Sequence, residues 1–318
     1  GVRDCWLLRG APRILGRMLR STLVAVAVLL FTSCSDDTLP PLPDEPATTL
    51  GVAAGRPADV RVPSDYDSNT EYPLVVLLHG YSATGGLQNL YFGLSNQVTA
   101  LGFILVIPDG TANSDGARFW NATSACCNFE DQPVDDVAYL RGLIEEAQAN
   151  YRIDPRRVYL FGHSNGGFMS HRMACDAPDV ITAIVSLAGA THLDPADCDT
   201  ETPVSMLQIH GTADDLILYD GVANAMGIFP AGYPSAAETT RRSAERAGCD
   251  LDAAEAGGSL DLDTSLDGAE TSVLEYHAGC ARGIDTALWT IEGGGHLPPV
   301  DRVAFSTAVM EWLLAHRR

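Results

Sequence analysis

A mostly parallel β-sheet with helices on both faces is the architecture that the 318-residue sequence predicts. Three observations predict it. Short, continuous apolar runs bounded by Gly and Pro recur along the chain, as in strands buried on both faces. Helix-period stretches lie between them. There is no internal repeat and no sign of a second core, so residues 51–318 read as a single domain.

The strand-like runs are residues 74–78, ending at His79-Gly80; 103–107, ending at Pro108-Asp109-Gly110; 157–161; 181–187; and 204–209. A further candidate, residues 287–291, leads into Glu292-Gly293-Gly294-Gly295-His296. Helices are expected over 134–149, where Val137, Leu140, Leu143, Ile144 and Ala147 recur every three or four positions, and over 165–174. The Asp-rich stretch 250–271 reads as an exposed loop. Its carboxylates lack the glycine-bounded spacing of a calcium loop. Residues 219–236 are long enough for a small flap, and no large lid is expected.

The N-terminus is excluded from the fold. Arg13, Arg17 and Arg20 precede the apolar run 23–31, and Thr32, Ser33 and Cys34 follow it. A basic stretch, a short apolar stretch and small residues make a secretory signal, too short for an ordinary membrane span. Residues 1–34 are therefore assigned as signal, with 1–17 a possible upstream extension before Met18. Cys34 is the candidate for lipidation, which would anchor the chain to a membrane; simple export is the alternative. The location expected is secreted, or an outer-surface or periplasmic lipoprotein. Residues 35–50, rich in Asp, Pro and Thr, read as a tether.

Apolar residues make up 46% of the chain, and the formal charge is -21. There is no lysine, so every basic side chain is an arginine. Nucleic acid is excluded as a partner, because phosphate binding needs a basic patch. Eight cysteines are present, six of them after the signal. An even number in an oxidising compartment points to disulfides. Six cysteines allow fifteen connectivities; the pairing expected is Cys175 with Cys198, Cys249 with Cys280, and Cys126 with Cys127. Zinc ligand spacing is missing, so no metal or other cofactor is expected.

Gly162-His163-Ser164-Asn165-Gly166 fits G-x-S-x-G between a strand and a helix. A sharp turn there needs small neighbours so that the serine can sit strained over the sheet, with the following helix N-terminus behind it. A nucleophilic serine needs a base, and the base an orienting acid, in the order Ser, Asp or Glu, His. Asp214 lies in His210-Gly211-Thr212-Ala213-Asp214-Asp215, just past a strand. His296 lies on a glycine-rich loop. Ser164 is the candidate nucleophile, His296 the base and Asp214 the orienting group, with Asp215 as the fallback. Oxyanion donors are expected from the amides of Asn165 and Tyr81. Tyr81, Trp120, His163 and Leu297 are the candidate substrate contacts, with a buried packing role as the equal alternative for Trp120. His79 reads as a brace for its loop, and His210 as structural.

The run from residue 134 through 151–159 to Gly162-His163-Ser164-Asn165-Gly166-Gly167, together with Cys126-Cys127, residues 210–214 and Gly293-Gly294-Gly295-His296, resembles the polyhydroxybutyrate depolymerase esterase family, which includes feruloyl and acetylxylan esterases. The resemblance spans residues 55–315. It implies an α/β-hydrolase fold, and it implies Ser164, Asp214 and His296 as the triad, in agreement with the chemical reading. Two departures bear on the substrate: Leu297-Pro298-Pro299 where many members have Trp-Pro-Gly, and Tyr81 where many have a small residue or cysteine. The function expected is a secreted carboxylic-ester hydrolase acting on hydroxyalkanoate oligomers or on feruloyl or acetyl esters. A serine peptidase resembling the prolyl-oligopeptidases and a non-catalytic surface-binding lipoprotein are the alternatives.

Overall fold

The computed structural model describes residues 42–43, 46–227 and 229–318. The expected signal 1–34, Cys34 and the first part of the tether lie outside the described residues. The end of the tether belongs to the fold. β1 (Thr49–Leu50) pairs antiparallel with β2 (Ala58–Arg61), and Leu50 is buried. The Gly51 amide donates to Glu146, and the Tyr151 hydroxyl to the Ala47 carbonyl. A proline-rich composition conceals these anchors, because they are made with backbone rather than with an apolar pattern.

The remaining elements are β3 (Tyr72–Leu78), α1 (Gly85–Phe92), α2 (Val98–Leu101), β4 (Ile104–Ile107), the short pair β5 (Thr111–Ala112) and β6 (Arg118–Phe119), α3 (Asp136–Asn150), β7 (Ile153–His163), α4 (Asn165–Asp176), β8 (Ala183–Leu187), β9 (Ser205–Gly211), α5 (Ala236–Arg246), β10 (Glu255–Leu260), β11 (Thr271–Tyr276), β12 (Thr286–Ile291) and α6 (Arg302–Leu314). Ten strands form one sheet in the order β1-β2-β4-β3-β7-β8-β9-β12-β11-β10. The six from β4 to β12 are parallel, and antiparallel strands close both edges. This is an α/β-hydrolase architecture.

The central strands alternate between two cores. On β3, Leu74, Val76 and Leu78 pack with Leu140, Leu143 and Ile144 of α3 and Phe168 and Met173 of α4. Val75 and Leu77 face the other way, toward Phe92 of α1 and Phe305, Val309 and Leu313 of α6. Burial on both faces explains why these strands read as unbroken apolar runs. Helices α1, α3, α5 and α6 begin on side-chain caps, such as Asp135 accepting from the Ala138 amide before α3.

The expectation of a loop over 250–271 needs correction, since β10 lies inside it. Five of its six residues are exposed, and its register shifts between Ala256 and Ser259, where Gly257 and Gly258 stand. A strand solvated on both faces has no apolar alternation; only its pairing with β11 makes it a strand. Disulfides join Cys126 to Cys127, Cys175 to Cys198 and Cys249 to Cys280.

Candidate active site

Ser164 stands where β7 ends and α4 begins, with φ 53° and ψ −121°. This is a costly conformation for a residue with a side chain, held because the surroundings over-determine it. The Ser164 amide donates to the Leu187 carbonyl (2.8 Å), and the Phe168 amide donates to the Ser164 carbonyl (3.0 Å). The flanking glycines are needed for close approach. A Cβ on Gly162 would sit 2.0 Å from the Gly166 carbonyl oxygen, and one on Gly166 would sit 2.2 Å from that of Leu78. The serine side chain makes no capping bond to α4, so its hydroxyl remains free for other partners.

Its partner is His296. The Asp214 carboxylate accepts from His296 Nδ1–H (2.8 Å), which leaves Nε2 to accept from the Ser164 hydroxyl (3.0 Å). Asp214 is buried and Asp215 exposed, so the side chain facing His296 is Asp214. Asp214 Oδ1 also accepts from the amides of Leu216 (2.9 Å) and Ile217 (2.8 Å). Burial opposes ionisation of this carboxyl. Hydrogen bonds from His210 and His296 outweigh that burial and hold it well below the usual carboxylate range.

The histidine loop is clamped from two sides. His163 donates from Nε2 to the His296 carbonyl (2.9 Å), and the Tyr91 hydroxyl donates to the Pro298 carbonyl (2.6 Å). Burial, followed by the neighbouring His296, pushes His163 down to about 3, so it is neutral at working pH. The loop after β3 is braced as tightly. The Gly110 amide donates to His79 Nε2 (2.8 Å), so His79 donates from Nδ1 to the Gly80 carbonyl (2.7 Å). Gln88 accepts from the Gly80 amide (3.2 Å). Among the described residues, the amides of Tyr81 and Asn165 have no protein acceptor.

Ser164 and His296 open into a cavity of about 320 Å³. Its walls include Tyr81, Leu87, Phe129, Ile217, Phe229 and Leu297, and His163 also lines it. Phe229 comes from the 219–236 segment, a short loop pinned by the pairing of Val222 with Tyr233. Trp120 requires correction as a substrate contact. It is fully buried outside the cavity, its ring nitrogen donating to the His79 carbonyl (3.0 Å) and its backbone paired with the Asn165 side chain. An aromatic residue in a loop looks available in sequence; here its indole N–H is consumed bracing the loop before Tyr81. Leu87, Gln88, Tyr91, Phe129 and Phe229 were not singled out from sequence. Only the i, i+3, i+4 spacing of Leu87, Tyr91 and Leu90 on α1 hinted at a face.

The family model described as "Putative esterase" matches residues 53–238, more than half of the chain. The chain belongs to this esterase family. It is an enzyme that hydrolyses carboxylic esters. The esterase is 28% identical over 245 residues to "Putative esterase NocK" of Nocardia uniformis subsp. tsuyamanensis, covering 75% of this chain and 69% of that protein. It is 27% identical over 243 residues to feruloyl esterase B of Piromyces equi, covering 74% of this chain and 42% of the relative. Among solved structures, acetyl xylan esterase from Aspergillus awamori superimposes with a TM-score of 0.55 at 15% identity, over 83% of this chain and 95% of that one, a likeness of fold.

Proposed function

We propose that this esterase is a secreted serine hydrolase that cleaves esters of bulky, apolar acyl groups of the hydroxycinnamoyl kind. The reading rests on the line Ser164–His296–Asp214 opening into an apolar cavity. Ser164 Oγ attacks the ester carbonyl while His296 Nε2 takes its proton, and Asp214 holds the imidazole in the Nδ1–H tautomer and offsets the charge that develops. The unengaged amides of Tyr81 and Asn165 donate to the oxyanion, supported by the α4 N-terminus. His296 then protonates the departing alcohol, and water repeats the sequence to free the acid. Aromatic and aliphatic walls suit a planar aryl acyl group better than acetate, and relatives named feruloyl esterases favour the same choice. Three disulfides favour an oxidising compartment, in keeping with export.

A second reading, oligomeric polyester, draws on the exposure of Leu87, Leu216 and Leu297 at the cavity. A panel of methyl ferulate, acetylated xylan, hydroxybutyrate oligomers and p-nitrophenyl esters separates the two. Highest kcat/KM on methyl ferulate is expected, and preference for hydroxybutyrate oligomers would install the second reading. Ser164→Ala should abolish turnover and phosphonate labelling while leaving the melting temperature nearly unchanged. Retained turnover would remove Ser164 from its role.

A further inference from the structure

The carboxylate of Asp214 receives a second histidine. His210 Nε2 lies 3.3 Å from Asp214 Oδ2, the same oxygen that accepts from His296, and 2.8 Å from the Ile217 carbonyl. Both neighbours are acceptors, so Nε2 carries the proton, directed at the Ile217 carbonyl with Asp214 Oδ2 as the longer second contact. The other ring nitrogen agrees. Gln208 Nε2 donates to the Gly189 carbonyl (2.8 Å) and faces His210 Nδ1 at 3.3 Å, which makes Nδ1 an acceptor. Gln208 is itself oriented, because His171 Nε2 donates to its Oε1 (3.0 Å). Gln208, His210 and His171 are each at most 5% exposed. A buried polar chain thus runs from α4 through β9 to the carboxylate, anchored by two backbone carbonyls that accept hydrogen bonds only.

We infer that His210 is a positioning residue of the hydrolytic machinery, which acts through Asp214 by fixing its orientation and tempering its charge. This rests on the assignment of Ser164, His296 and Asp214 above. With His210 and His296 on Oδ2 and two amides on Oδ1, all the carboxylate's acceptor sites are engaged. A carboxylate held by three hydrogen bonds and the His210 contact has little freedom to rotate. The donor from His210 also spreads charge that would otherwise act on His296 alone. Removing it makes Asp214 a stronger partner for the imidazolium, so the proton affinity of His296 rises. The acid limb of the rate profile then moves to higher pH.

The titratable groups facing His210 are few. Asp214 and His296 lie on one side and His171, through Gln208, on the other. His163 lies at the end of β7. Tyr219 stands edge-on at 5.7 Å, and Tyr233 accepts from the Leu218 amide. Burial raises both tyrosines, and it lowers His171 to about 4 and His163 to about 3. Asp214 stays ionised and these tyrosines and histidines titrate outside pH 5 to 9, so the acid limb in that window reports the catalytic base.

The test uses the full chain and p-nitrophenyl butyrate. Stoichiometric phosphonate labelling of the unmodified enzyme comes first; its absence would overturn the Ser164 assignment and this inference with it. Then kcat/KM is followed with pH for His210→Asn and His210→Gln. His210→Asn should lower kcat roughly tenfold or more with little change in KM, and should move the acid limb up by about half a unit. His210→Gln can place its amide nitrogen near the position of Nε2 and should recover most of both. An unmoved limb in a folded, labelled His210→Asn enzyme would overturn the inference alone. If that variant fails to fold, nitrogen NMR of the unmodified enzyme decides: Nε2–H on His210 is expected, and Nδ1–H would refute it.

Discussion

Replacing Asp214 with asparagine changes one atom and sets four donors against an amide. The amides of Leu216 and Ile217 face Oδ1, and His296 and His210 face Oδ2. Asparagine offers one acceptor oxygen and one NH2, so either seating opposes two donors to an N–H. Backbone amides cannot give up their protons, but imidazoles can shift theirs. The favoured seating therefore directs NH2 at His296, which takes the Nε2–H tautomer and can no longer accept from Ser164. Loss of the correct tautomer costs about 10⁴ in kcat, or roughly 5 kcal/mol at 1.36 kcal/mol per tenfold. The fold should lose less, ~1–3 kcal/mol for imperfectly matched buried donors. Initial rates on p-nitrophenyl butyrate, with urea denaturation alongside, measure both. A folded Asp214→Asn enzyme that keeps more than about a tenth of kcat would refute the tautomer argument. Acid stability adds a second reading of the same variant. The folded-state carboxyl titrates below its unfolded value, so its stabilisation is complete above about pH 4 and is lost as the pH falls through the folded value. Asp214→Asn should flatten that acid decline.

Gly166→Ala places a methyl carbon 2.2 Å from the Leu78 carbonyl oxygen, and both partners are backbone. Opening the turn should cost about 1–3 kcal/mol of stability and about 10² in kcat through misplacement of Ser164; unchanged melting and turnover would show that the contact can relax. Tyr91→Phe deletes the bond that ties α1 to the Pro298 carbonyl. A loss of ~1 kcal/mol in stability is expected, with a several-fold lower kcat and an unmoved acid limb. A shifted limb would mean that Tyr91 acts on His296 itself and not on its loop.

Much of the fold was legible because the central strands are buried on both faces. Residues 74–78, 103–107, 157–161, 181–187 and 204–209 each overlap a strand of the parallel sheet. The antiparallel margins were not legible. β1 lies in a proline-rich stretch and β10 is solvated, and both exist only through their neighbours' backbone. α5 and α6 were also missed. The surface of α5 is too polar to stand out, and the long apolar surface of α6 matters only once Phe305, Val309 and Leu313 have a sheet to cover.

Chemistry that depends on chain order and residue type can be read in one dimension. A serine among glycines after an apolar strand, an acid after a later strand and a histidine on a glycine loop are local signals, because each records a backbone constraint at its own position. Partnership between distant side chains is different in kind. Trp120 looks like an available aromatic until its N–H is seen to be used on the His79 carbonyl. His210 looks like packing until its ring faces the same carboxylate oxygen as His296, 86 positions later in the chain. The cavity walls come from α1, from the disulfide region and from the loops after β9 and β12. Nothing local records that they converge. The candidate triad was legible in the sequence; which neighbours surround it was decided by the fold, because hydrogen bonds and packing depend on distance in space.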